Sequence, residues 1–219
     1  MTESQPVQNQ TRQDVQNAFV GGDVRTLVRD ITLRALTQRS LDRESMRTVI
    51  ESVTQGVVEG AGRHPVQLEL NLRQAMAGLD DALGKSAEAA KLATQEAGGK
   101  ANHFAEHDLK TFAQSLETLE TLFLETVTDV AKQTNQVAGD ILRDIVSHLS
   151  HSGSEVGARS KEAVVAVRSN IVKTGRDSMA QAKGTGKAVG QQLALVASGI
   201  LAGMAEALHS VAASPKPKP

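Results

Sequence analysis

The chain has 219 residues, of which 40% are hydrophobic and 2% aromatic, and its formal net charge is −1. It has no cysteine, which excludes a disulfide framework, a thiolate nucleophile and a cysteine metal site. Because aromatic side chains dominate thick compact cores, a chain whose aromatic residues are four phenylalanines favours long helices with narrow apolar seams. No stretch alternates apolar and polar residues as a half-buried strand does, so the expected fold class is all-α.

The first segment, residues 1–22, is polar and rich in Gln and Asn. It lacks the charged start and apolar centre of a signal peptide, so the cytoplasm is the expected location. Its low apolar content predicts a disordered N-terminal tail that ends at Gly21-Gly22.

Residues 23–62 carry two amphipathic patterns that predict a helical hairpin. Asp23 stands at the N-cap position of the first pattern, and a Gly-Ala-Gly sequence ends the second. The patterns at 24–36 and 46–58 align at an offset of 22 residues, with identical Arg, Thr and Thr at equivalent positions. We interpret the pair as a possible 22-residue repeat whose two helices bury similar faces against one another.

Residues 65–149 are expected to form long helices with a break at Gly98-Gly99, because adjacent glycines weaken a helix interior. The longest periodic stretch follows the break and predicts a nearly straight helix, with apolar residues at steps of three and four on one face. This seam continues through Val137. Three of its residues are expected to pack helices together or to form an interface: Leu116, Leu119 and Phe123.

The stretch His103-Phe104-Ala105-Glu106-His107 has the form H-x-x-E-H. On a helix the two histidines would lie on one face, suited to chelate a zinc ion, with the glutamate as general base. A zinc enzyme also needs a third ligand and a walled pocket, and this polar, acidic stretch indicates neither. We therefore predict no metal site and no cofactor, and His103, Glu106 and His107 are the residues that a test for metal would address.

Residues 152–213 are expected to form a C-terminal amphipathic helical segment, followed by a Pro/Lys tail at 214–219. A capping-box pattern, Ser152 with Glu155, marks its start. Its most apolar stretch, LALVASGILAGMA at 193–205, is shorter than the ~20 apolar residues that a bilayer-spanning helix needs.

Two pairs of glycines, each four residues apart, lie in and just before this apolar stretch. Small residues at that spacing allow two helix backbones to approach closely. We therefore expect a helix–helix contact within or between chains, and place a flat position on a lipid or polymer surface second. The residues assigned to this contact are Gly186, Gly190, Leu193, Val196, Gly199, Ile200 and Gly203.

Charge is unevenly distributed along the chain. Residues 65–150 hold 7 Lys and Arg against 13 Asp and Glu, whereas residues 151–219 hold 9 against 4. We expect the acidic middle and the basic C-terminal third to pair within the chain, the alternative being an anionic surface as partner. Nucleic acid is not an expected partner, because no aromatic residues are interleaved with the basic ones for base stacking.

In composition and periodicity, residues 65–213 resemble the bacterial phasins: they are Ala-rich and free of Cys, with long amphipathic helical patterns and a low-complexity tail. Phasins coat polyhydroxyalkanoate granules, so the resemblance implies a protein that covers a polymer surface. The 23–62 hairpin is similar to parts of uncharacterised bacterial helical proteins, which implies no activity.

From the residues themselves, we expect an elongated helical bundle or coiled coil with a non-catalytic interaction or scaffold role. Such a protein would self-associate as a homo-oligomer, or bind a helical partner, through its long amphipathic helices. The alternative is a phasin-like or peripheral membrane protein whose C-terminal segment coats a lipid or polymer surface.

Overall fold

The computed structural model describes residues 4–20, 22–38, 42–98 and 106–178. These residues form eight α-helices and no strand, which confirms the all-α prediction. Short 3-10 turns lie at Ala18–Val20 and Pro65–Gln67. The helices are α1 (Ser4–Asn17), α2 (Val24–Thr37), α3 (Arg43–Ala61), α4 (Leu68–Gly98), α5 (Glu106–Glu117), α6 (Leu119–Gln133), α7 (Gln136–Ser152) and α8 (Glu155–Ser178).

Helix α4 is the centre of the bundle, because α2, α3, α7 and α8 all pack against it. Helix α8 approaches α4 closely at Gly84. A Cβ added at Gly84 would lie 3.2 Å from the carbonyl carbon of Glu155, so the close approach depends on a small residue there. The inward side chains of α4 recur at helical spacing and are fully buried: Leu72, Met76, Leu79, Leu83, Ala87 and Ala90.

Two side-chain contacts fix the direction of the last two helices. Arg73 donates to Asp144 at 2.7 Å, and Lys91 donates to Glu162 at 2.7 Å. In each pair the two residues are 71 positions apart in the sequence. Moving forward along α4 from Arg73 to Lys91 therefore also moves forward along the partner helices, from Asp144 to Glu162. Helices α7 and α8 therefore run parallel to α4, one after the other along its length.

Helices α5 and α6 run in the opposite direction to α7 and α8. Glu117 at the end of α5 contacts Arg168 in α8, whereas Glu120 at the start of α6 contacts Ser154, at the start of α8. Asn135 N-caps α7 and so closes the turn between α6 and α7. Residues 106–178 thus form a hairpin of two long arms, α5–α6 and α7–α8.

Each arm of this hairpin is interrupted. The Thr118 hydroxyl donates to the carbonyls of Gln114 at 3.1 Å and Ser115 at 3.3 Å, and side chains that bond in this way bend helices. The other arm is interrupted at Gly153, whose φ of 87° is in the left-handed region that favours glycine. The single straight helix predicted after the Gly-Gly break is therefore wrong, and Val137 of the predicted seam is 62% exposed at the start of α7.

The predicted disordered tail at 1–22 is also wrong, since residues 4–20 form α1 and a 3-10 turn. Val15 and Phe19 are buried, and α1 lies along α3. The two helices approach closely at Gly56, where an added Cβ would lie 2.6 Å from the Arg12 carbonyl oxygen. The mostly polar α1 therefore packs on α3 through a few buried apolar side chains, and the lack of a side chain at Gly56 lets the two backbones approach closely.

The two helices predicted at 23–62 are present, but their expected pairing is wrong. Asp23 N-caps α2 as predicted, accepting from the Thr26 N–H at 3.3 Å. Helix α2 packs mainly against α4, and α3 packs mainly against α1 and α6. An amphipathic pattern specifies which face of a helix is buried, and it does not specify the helix that covers that face.

The possible repeat has structural counterparts in both helices. Thr32 and Thr54 are both buried, and each hydroxyl donates at 2.7 Å to the carbonyl four residues earlier. Arg25 and Arg47 each form an ion pair with an aspartate of another helix. The three identities in the sequence therefore correspond in part to equivalent local interactions.

Candidate functional site

Asp80, in the middle of α4, caps the start of α8. Its side chain is 6% exposed, and its two carboxylate oxygens accept from the backbone N–H groups of Glu155 at 2.9 Å and Val156 at 3.0 Å. The first N–H groups of any helix have no partner within that helix. The α8 N-terminus is therefore satisfied by a side chain from another helix.

Ser154 completes this cap. Its hydroxyl accepts from the Gly157 N–H at 3.0 Å and donates to a Glu120 carboxylate oxygen at 2.6 Å. The capping box predicted from Ser152 is wrong, because Ser152 is the last residue of α7 and Gly153 turns the chain before α8 begins. We call Asp80, Glu120 and Ser154, with the first turn of α8, the α8 junction.

Burial has the largest effect on the pKa of Asp80 in the α8 junction. Removal from water raises the pKa of the Asp80 carboxyl, and the two backbone N–H groups partly offset that rise. The nearby carboxylates of Asp81 and Glu155 raise the pKa further. Asp81 itself is held by Arg25 of α2 through two hydrogen bonds of 2.7 and 2.9 Å, which raise the pKa of the Arg25 guanidinium.

A cleft of about 200 Å³ adjoins the α8 junction between α2, α4, α7 and α8. Its arginines are already engaged, since Arg73 donates to Asp144 at 2.7 Å and to Glu69 at 3.0 Å. The lining combines side chains of both charge signs with the apolar side chains of Ile145 and Leu149. The lining residues are Arg25, Arg73, Ala77, Asp80, Asp81, Ile145, His148, Leu149 and Glu155.

Sequence reasoning missed Asp80, although the pattern contained a signal for it. Asp80 lies four residues after Met76 and three before Leu83, both of which are fully buried on the inward face of α4. A carboxylate at an inward position needs hydrogen-bond donors, because burying a charge without partners is costly. The donors are 75 and 76 residues away in the sequence, so the pattern could not identify them.

The predicted H-x-x-E-H candidates lie at the edge of the described part of the chain. His103 is outside it, and Glu106 and His107 open α5 with side chains that are also outside it. Within the described residues, no group of three His, Cys, Asp or Glu side chains is arranged to hold a metal ion.

The predicted helix-packing residues fall into two sets. Leu116, Leu119 and Phe123 are buried in the core of the chain itself, at most 6% exposed. The C-terminal set lies outside the described residues: Gly186, Gly190, Leu193, Val196, Gly199, Ile200 and Gly203. No helix within the described ranges is long and apolar enough to cross a membrane.

Among the described side chains, acidic residues of the middle of the chain form ion pairs with N-terminal arginines and with one arginine of the C-terminal third. The first group of pairs comprises Arg25–Asp81, Arg43–Glu125 and Arg47–Asp129. From the C-terminal third, Arg168 pairs with Glu117. The Arg168–Glu117 pair is of the predicted kind, and the N-terminal arginines take part because helix packing places α2 and α3 beside the acidic helices. The basic side chains from residue 170 onward lie outside the described part of the chain.

Comparison with known proteins gives one family. No curated protein and no solved structure matches the chain. The family DUF6781, described as a family of unknown function, matches residues 1–210. The chain therefore belongs to the DUF6781 family.

Proposed function

We propose that the chain is a non-catalytic helical interaction protein that self-associates, or binds a helical partner, through its C-terminal segment. The supporting observation is that Leu116, Leu119 and Phe123 are buried inside one chain. That seam is already covered, so the predicted C-terminal packing residues, from Gly186 to Gly203, are the better candidate for a contact between chains. Its two glycine pairs have the spacing of closely packed helices.

Sedimentation velocity of the full chain at micromolar concentration tests this proposal. Replacing Gly199 and Gly203 with Leu adds bulk where backbones should touch, and the matched control replaces both with Ala. We expect the wild type to assemble, the Leu variant to lose assembly, and the Ala variant to be affected less, because overpacking costs about 1–3 kcal/mol per site. A monomeric wild type, or a Leu variant that assembles like the wild type, would contradict the proposal.

A second candidate function is phasin-like or peripheral binding to a lipid or polymer surface from the cytoplasm. Charge favours it: residues 179–219 contain four Lys and one Glu around an apolar stretch. Here the Gly199→Leu/Gly203→Leu variant should bind more tightly, because Leu adds apolar area to the binding face. Co-sedimentation with anionic vesicles and with polyester particles measures this, and wild-type protein left in the supernatant with both would exclude it.

A further inference from the structure

A second cleft, of about 280 Å³, lies between α1 and α2. Ligand sites usually combine an apolar lining with a few polar groups that fix the orientation of the ligand, in volumes from about 300 Å³ upward. This cleft has both kinds of side chain, and its volume suits a ligand no larger than an amino acid. The side chains that the argument uses are Gln10 and Asp14 on α1, and Ile31, Arg34, Ala35 and Gln38 on α2.

Arg34 differs from the other arginines whose side chains the structure describes. Each of those forms a hydrogen bond or an ion pair with another side chain, whereas the exposed guanidinium of Arg34 forms neither. Its place in the last turn of α2 favours a positive charge but leaves the guanidinium donors available. Those donors form a planar fork that matches a carboxylate.

Asp14 brings the opposite charge to the same cleft, and it is half-buried. The Gln10 amide donates to Oδ1 of Asp14 at 2.7 Å, and among the described side chains nothing else bonds this carboxylate. Oδ2 of Asp14 is therefore available as an acceptor. Asp14 and Arg34 line one cleft without pairing with each other, so a ligand between them can contact both.

We propose that this cleft binds a small zwitterion, an α-amino acid with an aliphatic side chain. Its carboxylate would accept from Arg34 and its ammonium would donate to Asp14, while its side chain would lie against the buried Ile31 and Ala35. A ligand with both charges pairs both groups, whereas a simple anion would be repelled by Asp14 and a simple cation by Arg34. The site uses α1 and α2 alone, so it stands whether or not the C-terminal segment binds a partner.

Backbone amide chemical shifts of the full chain, recorded while a ligand is titrated, test this site. The probes are leucine, 4-methylpentanoate, which lacks the ammonium of leucine, and 3-methylbutylamine, which lacks its carboxylate. We expect leucine to bind the wild type more tightly than either analogue, with saturable shifts confined to α1 and α2.

Two variants assign the two charges. Arg34→Gln should weaken leucine about fivefold and leave 3-methylbutylamine no weaker, because only the carboxylate loses its partner. Asp14→Asn should weaken leucine to a similar extent and leave 4-methylpentanoate no weaker. The matched control is Arg143→Gln, which removes an exposed arginine on α7 and should leave leucine binding unchanged.

Several results would overturn the site. Absence of saturable shifts in α1 and α2 up to the solubility limit of leucine would show that Arg34 serves the helix terminus alone. An analogue that binds the wild type as tightly as leucine does would refute a zwitterion as ligand. Wild-type affinity in Arg34→Gln, or an equal loss in Arg143→Gln, would show that the guanidinium of Arg34 does not hold the carboxylate. The comparison of the three probes needs the wild type alone, so it decides even if a variant does not fold.

Discussion

Oδ1 of Asp80 on α4 lies 3.0 Å from the backbone nitrogen of Val156 on α8, across a sequence separation of 76 residues. The other oxygen of the same carboxylate accepts from the Glu155 N–H. The first N–H groups of α8, which have no partner within α8, are thus bonded by a buried carboxylate of α4, and this joins two helices that are distant in sequence.

Replacing Asp80 with Ala should destabilise the fold by about 1–3 kcal/mol, because the buried N–H of Val156 and the part-buried N–H of Glu155 lose their acceptor. Asp80→Asn should cost less, since its amide oxygen still accepts. Urea unfolding followed by circular dichroism measures both. Equal stability of the Ala variant and the wild type would show that the cap contributes nothing.

The pH dependence of the wild type relative to Asp80→Asn follows from the raised Asp80 pKa. Because burial raises the folded-state pKa above the unfolded value near 3.8, the folded state binds the proton first as pH falls. The wild type should therefore gain stability relative to Asp80→Asn as pH falls through the raised pKa. The gain should level off below the unfolded pKa. Urea midpoints measured from pH 7 to pH 3 check this, and a relative loss over the same range would indicate a lowered pKa instead.

Gly56→Ala should loosen α1, because the new Cβ would lie 2.6 Å from the Arg12 carbonyl oxygen. Overpacking costs about 1–3 kcal/mol, which exceeds the roughly 1 kcal/mol that Ala gains over Gly in helix propensity. The matched control is Thr48→Ala, which raises helix propensity in the same helix at a partly exposed position. Denaturant unfolding should show a loss for Gly56→Ala alone, and a stabilised Gly56→Ala variant would show that α1 does not lie against α3.

The two arginines of the possible repeat should differ in coupling energy. Arg25 holds Asp81 through two hydrogen bonds, and the Asp81 side chain is 19% exposed, whereas Arg47 reaches Asp129 through one bond at a 41% exposed side chain. Double-mutant cycles with Ala should give about 1 kcal/mol for the first pair and about 0.3 kcal/mol for the second. A larger coupling for Arg47–Asp129 would contradict this ranking.

Periodicity and capping residues were sufficient to predict α2, α3 and α4, because each has a clear apolar stripe and Asp23 has the side chain that an N-cap needs. They failed for α1, where Val15 and Phe19 are too few to stand out in a polar segment. They also failed for features that depend on contacts between residues far apart in the sequence. The partner of each helix and the role of Asp80 are determined by residues far apart in the sequence.

The most direct measurement is whether a disulfide forms between α4 and the start of α8 in one chain. The chain has no native cysteine, and a Cβ at Gly84 would lie 3.4 Å from the Glu155 Cβ, close to the ~3.5–4.5 Å found in disulfides. The control combines Gly84→Cys with Arg143→Cys. Arg143 precedes Asp144, which contacts Arg73, and Arg73 lies about 16 Å from Gly84 along α4, too far for a disulfide.

Mild oxidation followed by intact mass and non-reducing electrophoresis should show an intramolecular disulfide in Gly84→Cys/Glu155→Cys and not in the control. Absence of that disulfide, or bonds formed only between chains, would contradict the packing of α8 on α4 of its own chain.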